Sequence, residues 1–567
     1  MESMTGELEG DRAADDAEAS IRPPSGETSG RSRTARVGGF ASVRRVAASA
    51  LVGVREVLAR PTASDVATIG CTLVLAVVVG TSLVGVGLAL LAIASGLVAA
   101  LATVLLASDD PRVRTLGGAV AVPASLVTVL PTVLAGALAL SGGVSLFAGV
   151  VVWALVVAGL ASGLVSWHRL GRGGAWRGAT GAALAAIGVV AVVAVRLFPD
   201  STARARAGEA ASSVFGVAWD ALVVADGTWA VVWFAALLFV AATAGTVTLE
   251  FVAFERLVPP DRRETLENAM GEVRRGCSHA ARFAVVIVLV AFVTPSATDR
   301  FADVPVTPAA VASELPAPIG SAFAAVATAS SLRLVLLAVL ALSISVSALE
   351  WVRRTRRRNV AVVGARLCAP AIGAATVAVV IALALSTVGS GVDLAAALEG
   401  TAPPSLVGSI GAFPRSALVA ALLVVALCSL SGLLSTVTAL RVLRLLPERA
   451  IGGALAAGSA FALAVGLAVV GRIELAIVAG ALAFVLWDVG EYADGVRYEL
   501  GRESPTLRVE LVHVTGTLLS GAAVAGATIA LSRWIATDPV VADRTSAAIV
   551  VAVGVLAVVV VAWSLRA

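Results

Sequence analysis

The chain contains 567 residues, of which 58% are hydrophobic and only 14% are charged, and its mean hydropathy is +0.95. All 42 basic residues are arginines, and with 38 acidic residues they give a formal net charge of +4. This composition excludes a large soluble domain, because apolar runs of the length that a helix needs to cross a bilayer recur along the chain. It predicts an all-α polytopic integral membrane helical bundle, multi-pass in the cell (cytoplasmic) membrane.

The N-terminal part of the chain differs from the rest. Residues 1–38 are predicted to be a disordered acidic tail, because their first thirty positions are acidic and rich in Gly, Ser and Pro. Residues 39–61 carry one apolar stripe at helical spacing with arginines beside it, and Pro61 ends the pattern. We expect this segment to be an interfacial amphipathic helix.

Residues 62–567 are predicted to form the transmembrane bundle. Apolar runs between charged clusters indicate about fourteen spans. The first two runs are continuous and two others are short, so that the number of spans lies between about twelve and fourteen. The predicted spans are 66–84, 86–107, 117–140, 144–166, 181–198, 229–249, 281–297, 332–349, 367–388, 417–440, 450–470, 473–487, 511–531 and 546–563.

The arginines predict the orientation of these spans. Most of them fall on one side if the N-terminus and the C-terminus are both inside, as the positive-inside rule requires. The predicted cytoplasmic charged loops are 250–281, 351–366 and 488–510, and the predicted outer loops are 298–331 and 389–416. We expect the inner-face arginines to attract anionic headgroups of the lipid bilayer. The arginine cluster after Trp351 is interpreted as such an anchor, and no nucleic-acid partner is predicted.

The loop at 250–281 contains a second amphipathic pattern. Asp261 and Glu264 resemble a capping box at the start of a helix. Apolar side chains then recur at helical spacing from Leu266 to Cys277. The pattern predicts either an interfacial helix or an ordinary cytoplasmic helix folded onto the bundle.

Motifs of known enzyme chemistry are missing from the sequence. It contains no Walker A loop, no HExxH and no GxSxG, so no catalytic residue and no cofactor are predicted. No predicted span has a charge at its centre, which disfavours an ion-coupled carrier.

The segment 487–513, WDVGEYADGVRYELGRESPTLRVELVH, concentrates the polar residues of the C-terminal half. Glu510 and His513 have the Glu-x-x-His spacing of helical di-metal bundles, but the sequence lacks a second copy. One interpretation is a metal or proton site that combines these two residues with Asp488 and Glu491. The other is a solvated, salt-bridged hairpin that orients two spans. The candidate cytoplasmic docking patch consists of Trp487, Asp488, Glu491, Glu499, Arg502, Arg508, Glu510 and His513.

The pattern WDVGE, then ELGR, then a Thr-x-Arg-x-Glu-Leu-Val-His run entering a Gly-rich span resembles the C-terminal signature of an uncharacterised haloarchaeal multi-pass membrane protein family. The resemblance covers Trp487 to Gly526, and elsewhere only the layout of spans is similar. It implies a membrane protein with a domain of unknown function, sometimes encoded beside an AAA-type ATPase and von Willebrand factor A-type proteins. It implies that the eight residues of the docking patch are signature positions without assigned roles.

Three functions stay open at this point. The first is a non-enzymatic membrane scaffold or component that docks partners at its cytoplasmic face. The second is a transporter or flippase for an amphiphilic or lipid-linked substrate that has no intramembrane ion-coupling acids. The third is a membrane metalloenzyme that uses Glu510 and His513.

Overall fold

The fold was analysed in a computed structural model. Every regular element that it describes is a helix. The predicted tail 1–38, the predicted amphipathic helix 39–61 and the predicted last span 546–563 lie outside the described residues. The structure describes residues 62–140, 144–167, 170–197, 230–252, 258–293, 308–313, 315–356, 360–387, 415–443, 450–499 and 506–537, together with isolated positions between these ranges.

The helices are numbered in chain order. The first seven are α1 (Ala63–Val84), α2 (Val86–Leu106), α3 (Pro111–Leu140), α4 (Val144–Leu164), α5 (Ala175–Leu197), α6 (Ala230–Phe251) and α7 (Arg263–Val293). The others are α8 (Pro308–Ser313), α9 (Ala317–Thr328), α10 (Ser330–Arg356), α11 (Val360–Thr387), α12 (Arg415–Val442), α13 (Ile451–Val469), α14 (Ile473–Glu499) and α15 (Leu507–Thr537).

Twelve helices in the described ranges, α1–α6 and α10–α15, are long and apolar enough to cross a membrane. The prediction of an all-α helical bundle is therefore confirmed for these residues. The continuous apolar run at the start of the bundle divides at Gly85, whose φ of 84° lies in the region that favours glycine, and this residue separates α1 from α2. The predicted seventh span begins within α7.

Helix α7 joins two predicted elements into one. It starts at Arg263, so that the amphipathic pattern at 263–280 and the apolar run after it form a single continuous helix. Leu266 and Met270 are partly buried on this helix, whereas Val273 is exposed. Cys277 packs beside Ala281 and Leu443. The last turns of the amphipathic half therefore contact the bundle, as expected for the second of the two alternatives.

The buried residues form separate clusters. Helices α1, α2, α4, α13 and α14 share a core of alanines, leucines and valines, and α2 also contributes to a second core with α3, α5, α11 and α12. Helices α6, α7 and α10 pack around Phe234 in a third cluster that includes side chains from α8 and α9. The small side chains allow the helix axes to approach closely, which is the main source of packing energy between helices in a membrane.

Glycine at position 96 is required by the contact between α2 and α4. A Cβ atom at Gly96 would lie 2.0 Å from the carbonyl oxygen of Val156 and 2.6 Å from the backbone nitrogen of Leu160. Backbone atoms cannot move aside as a flexible side chain can, so that the helices themselves would have to separate. We therefore expect the substitution Gly96→Val to lower the free energy of unfolding by about 3 kcal/mol or more.

Gly87 on the same helix is the matched control, because a Cβ atom there would meet no atom within 4 Å. Thermal unfolding in detergent should show a large decrease in Tm for Gly96→Val and a small one for Gly87→Val. Equal decreases in Tm would mean that the loss of stability comes from helix propensity or from the bilayer-facing surface. That result would contradict the close approach of α2 and α4.

Candidate functional site

Helix α14 continues well beyond the end of the predicted twelfth span. The sequence places that end at Trp487, where the charged residues begin, but the helix runs on to Glu499. Gly490 lies against Gly453 of α13, with a Cβ position at Gly490 only 2.7 Å from the Cα atom of Gly453. The polar side chains after Trp487 are compatible with a packed helix because several of them have partners on neighbouring helices.

A buried ion-pair network joins α1, α13 and α14 at one end of the bundle. Arg497 lies 2.8 Å from Asp65 and 3.1 Å from Asp494. Asp494 also accepts a hydrogen bond from the backbone N–H of Ala450, the residue before α13. Asp65 and Thr62 form a reciprocal capping box at the start of α1, with distances of 3.1 and 3.2 Å. These contacts define the Arg497 end of the bundle, where α1, α13 and α15 begin and α14 ends.

Glu510 connects α15 to the same end. Its side chain is buried and accepts a hydrogen bond of 3.0 Å from the backbone N–H of Ser64 in the first turn of α1. The Thr506 hydroxyl donates to its other oxygen at 2.5 Å. A carboxylate is favourable here because the first N–H groups of a helix have no partner within the helix. Glu510 therefore caps α1 across more than four hundred residues of sequence.

A second polar group lies further inside, between α14 and α15. His513 Nε2 is 3.0 Å from Asp488 Oδ2, a distance suited to an ion pair but without the alignment of a ring N–H hydrogen bond. The Thr517 hydroxyl donates to the same Asp488 oxygen at 2.7 Å. The Tyr492 ring stacks on the imidazole, with ring centroids 3.8 Å apart and an interplanar angle of 15°. Thr517 and Tyr492 thus hold the carboxylate and the imidazole beside each other.

This group belongs to an exposed helix face. Phe484, Trp487, Asp488 and Glu491 recur at helical spacing on the exposed side of α14. The Trp487 indole donates to Glu491 at 3.1 Å. The Asp488 side chain is 53% exposed and that of His513 is 29% exposed. We call this surface the Asp488 face, and it comprises Phe484, Trp487, Asp488, Glu491, His513 and Thr517.

The Asp488 face lies within the length of the span. Asp488 is six residues before Asp494, which bonds to the start of α13, so that it lies about 9 Å inside the Arg497 end. In the other direction Asp488 is fourteen residues, or about 21 Å, from Glu474, which pairs with Arg533 at 2.7 Å. The predicted end of the twelfth span at Trp487 is therefore twelve residues short of the end of helix α14.

The helix continues past the predicted boundary at Trp487 for a physical reason. The predicted boundary was set at the first charged residue, on the assumption that an ionisable group ends the apolar run. Asp488 instead has the Thr517 hydroxyl and the His513 imidazole within reach on α15. Pairing of this kind lowers the cost of an ionisable group inside a membrane protein.

Glu510 and His513 are not brought together as their spacing suggested. Both are on α15, but Glu510 bonds to Ser64 and Thr506 while His513 contacts Asp488 and Tyr492. Within the described ranges, no group of three or more His, Cys, Asp or Glu side chains could hold a metal ion. Of the two residues with this spacing, Glu510 caps helix α1 and His513 forms a polar pair with Asp488.

The other members of the predicted patch have different surroundings. Glu499 is exposed at the end of α14, and Arg508 is exposed in the first turn of α15. Arg502 lies outside the described residues. The sequence interpretation missed Asp65 and Arg497, which lie in different spans and come together only in the fold. The Thr-x-x-Asp start of α1 is the signal that could have indicated Asp65.

Comparison with models of known protein families, with curated proteins and with solved structures found no match to this chain. The chemistry of the Asp488 face is therefore the basis for assigning a function. An imidazole, two carboxylates, an indole and a hydroxyl on one exposed face can form hydrogen bonds and ion pairs with a group that approaches from outside the bundle.

Proposed function

We propose that the protein is a non-enzymatic, multi-pass component of the cell membrane that docks a partner through the Asp488 face. The observation that supports this proposal is the exposure of Asp488 about 9 Å, and of Glu491 about 4.5 Å, inside the Arg497 end. An ionisable side chain that faces lipid is costly, by about 2.5–3.5 kcal/mol on the lower scales at the helix centre and by less near the end of a span. A partner that supplies hydrogen-bond donors would remove most of that cost.

Among the described helices, α15 packs against α14 and α1 and leaves the Asp488 face exposed. Only one stripe of α15 is buried, and it includes Glu510, Val514 and Ala525. The remaining surface is exposed and contains large apolar side chains such as Val512 and Leu519. Exposed apolar side chains of a membrane helix can face lipid, so that the polar groups on this face are what distinguish it as an interaction site.

The two polar groups of this region differ in how fully they are paired. In the network at the Arg497 end, the charge of Arg497 is matched by Asp65 and Asp494. In the part of the chain that the structure describes, no arginine lies within ion-pair distance of Asp488 or Glu491. The first group therefore has a structural role, and the second retains carboxylate oxygens that can accept hydrogen bonds from a partner.

The proposal changes where docking would occur. The predicted patch was cytoplasmic, whereas the Asp488 face would meet a partner within the edge of the bilayer, on the side that the arginines predict to be cytoplasmic. The family resemblance would make an AAA-type ATPase or a von Willebrand factor A-type protein a candidate, provided that it acts through a membrane-embedded part. Exposed arginines such as Arg275 of α7 would bind anionic headgroups.

Photo-crosslinking in native membranes tests the docking proposal. A benzophenone amino acid in place of Phe484, which is 57% exposed, should give a discrete protein adduct on irradiation. The control position is Leu342 of α10, an apolar residue with a similar exposure of 65% that is on a different helix. If both positions give only lipid adducts, or the same pattern of protein adducts, the Asp488 face is not a specific docking surface.

Transport of an amphiphilic substrate is the second candidate function. The contact between Asp488 and His513 inside the span favours it, because ion-coupled carriers place ionisable side chains within the membrane. This differs from the carrier without intramembrane acids that the sequence suggested. Substrate flux in proteoliposomes that contain only this protein, lost in Asp488→Asn, would support transport, and flux that is independent of Asp488 would exclude a role for this pair.

A further inference from the structure

We infer that the Asp488 face recognises a transmembrane helix that carries an arginine or a lysine, a deduction that rests on the proposed docking function. The first observation is the charge of the face. Asp488 and Glu491 bring two carboxylates, and His513 is the one basic side chain that the structure places against either of them among the described residues. A cation of the partner would therefore increase the charge complementarity of the interface.

The spacing of the two carboxylates suits one cationic side chain. Asp488 and Glu491 are three residues apart on α14, so that their Cβ atoms are about 5–6 Å apart on the same side of the helix. Glu491 Oε2 accepts from the Trp487 indole, and Asp488 Oδ2 accepts from Thr517 and contacts His513. The second oxygen of each carboxylate has no such contact with the described residues. A guanidinium group could bond to both of these oxygens with its fork of donors.

The indole of Trp487 strengthens the case for a cation. Its side chain is 37% exposed, and its indole N–H donates to Glu491, so that part of the residue is accessible to a partner beside this carboxylate. Guanidinium and ammonium groups are attracted to the face of an indole, more strongly when the contact is desolvated. An arginine that bonds to Glu491 would therefore also stack on Trp487.

The neighbouring side of α15 permits a helix to come close. His513, Gly516, Thr517 and Ser520 follow one another at helical spacing and form one stripe. Gly516 and Ser520 are exposed, and a Cβ atom at Gly516 would meet no atom within 4 Å. Small side chains of this kind allow the backbones of two membrane helices to approach. The depth of Asp488, about 9 Å from the Arg497 end, favours a cation on a membrane helix over one on a cytoplasmic domain.

A second copy of this chain is a less suitable partner. Arg366 is exposed on α11, six residues from its start, and could reach a comparable depth. However, α11 packs against α3 and α5, whereas α14 packs against α1, α13 and α15. A contact between two different surfaces of identical chains is head-to-tail and would continue as an open row unless it closes into a ring.

Model transmembrane peptides test the inference. The probe is a labelled Leu/Ala host helix with a single Arg six residues, or about 9 Å, from one end, in vesicles of phosphatidylcholine that contain the labelled full-length protein. The matched peptides carry Gln or Glu at that position. We expect energy transfer to report at least about tenfold tighter association of the Arg peptide than of the Gln peptide, and weakest association of the Glu peptide.

The double variant Asp488→Asn/Glu491→Gln should lose this preference, and the variant Glu267→Gln, an exposed acid on α7, should keep it. Equal association of the Arg and Gln peptides would overturn cation recognition. If the Phe484 adduct still forms in native membranes, docking itself would stand and only the chemistry of the partner would be wrong. Energy transfer between two differently labelled copies of the protein that exceeds transfer to the Arg peptide would also overturn the inference.

Discussion

Replacing Arg497 by methionine is expected to lower the free energy of unfolding by about 3–5 kcal/mol, because it leaves the buried Asp65 carboxylate without its cation. The side chain of Asp65 is only 2% exposed, so that water cannot replace the lost contact. The same substitution also removes the contact with Asp494, which then keeps the backbone N–H of Ala450 as its partner. Methionine keeps an unbranched apolar side chain and limits the effect of lost packing.

The measurement is reversible unfolding of the purified protein in detergent, with Arg533→Met as the matched control. Arg533 pairs with Glu474 at a similar distance of 2.7 Å, but the two side chains are 68% and 50% exposed, so that we expect almost no loss of stability. The double variant Arg497→Met/Asp65→Asn should recover part of the loss, which would show that the two residues are coupled. Similar losses for Arg497→Met and Arg533→Met would contradict the buried network.

Replacing Arg333 by methionine is expected to cost about 3 kcal/mol or more, because the guanidinium group is completely buried and bonds to backbone carbonyl groups. It donates to Ala230 at 2.8 Å, to Ala327 at 3.1 Å and to Leu222 at 3.2 Å. Its central carbon lies 5.7 Å from the centre of the Phe234 ring. Loss of this side chain would leave three carbonyl oxygens without their donor where α6, α9 and α10 meet.

Limited proteolysis and thermal unfolding of Arg333→Met check this expectation, with Arg275→Met as the control. Arg275 is an exposed arginine of α7 that bonds only to the Gly271 carbonyl of its own helix among the described atoms. We expect Arg333→Lys to be intermediate, since lysine keeps the charge but lacks the planar fork that reaches several acceptors. A stability of Arg333→Met equal to that of Arg275→Met would show that other donors satisfy the carbonyl groups.

The length of apolar runs was sufficient to predict most of the fold. A helix of about twenty residues with few charges is recognisable without any tertiary information, and α2, α4 and α13 have that form. The predicted break between the first two spans, at position 85, matches the ends of α1 and α2, although Gly85 is one of several glycines in one apolar run and its positive φ is visible only in the structure. The orientation of the spans remains a prediction from the arginines.

The candidate site was predictable only in part. The segment around Asp488 and His513 is unusual in composition, and this local property was sufficient to single it out. The separate roles of Glu510 and His513 depend on Ser64 and Asp488, which the sequence does not place near either residue. The contact between Asp65 and Arg497 joins residues that are 432 positions apart. Hydrophobic periodicity contains no information about such pairs.

The extension of α14 explains why the predicted end of the twelfth span differs from the end of the helix. A charged residue normally marks the end of an apolar run, and this rule holds where the side chain has no partner in the membrane. Along α14 the rule fails, because Asp488 and Asp494 each find a hydrogen-bond donor on a neighbouring element. The charged residues of the proposed docking face therefore lie on helix α14 and not in the loop 488–510 that the sequence predicted.

The most direct test of the docking proposal is the yield of the Phe484 crosslink in native membranes in two backgrounds. In the wild-type background we predict a discrete protein adduct, and in the Asp488→Asn/Glu491→Gln background we predict at least about a tenfold decrease in its yield at an unchanged amount of folded protein. Glu267→Gln should leave the yield unchanged. The same adduct yield in all three backgrounds would contradict docking through the carboxylates of the Asp488 face.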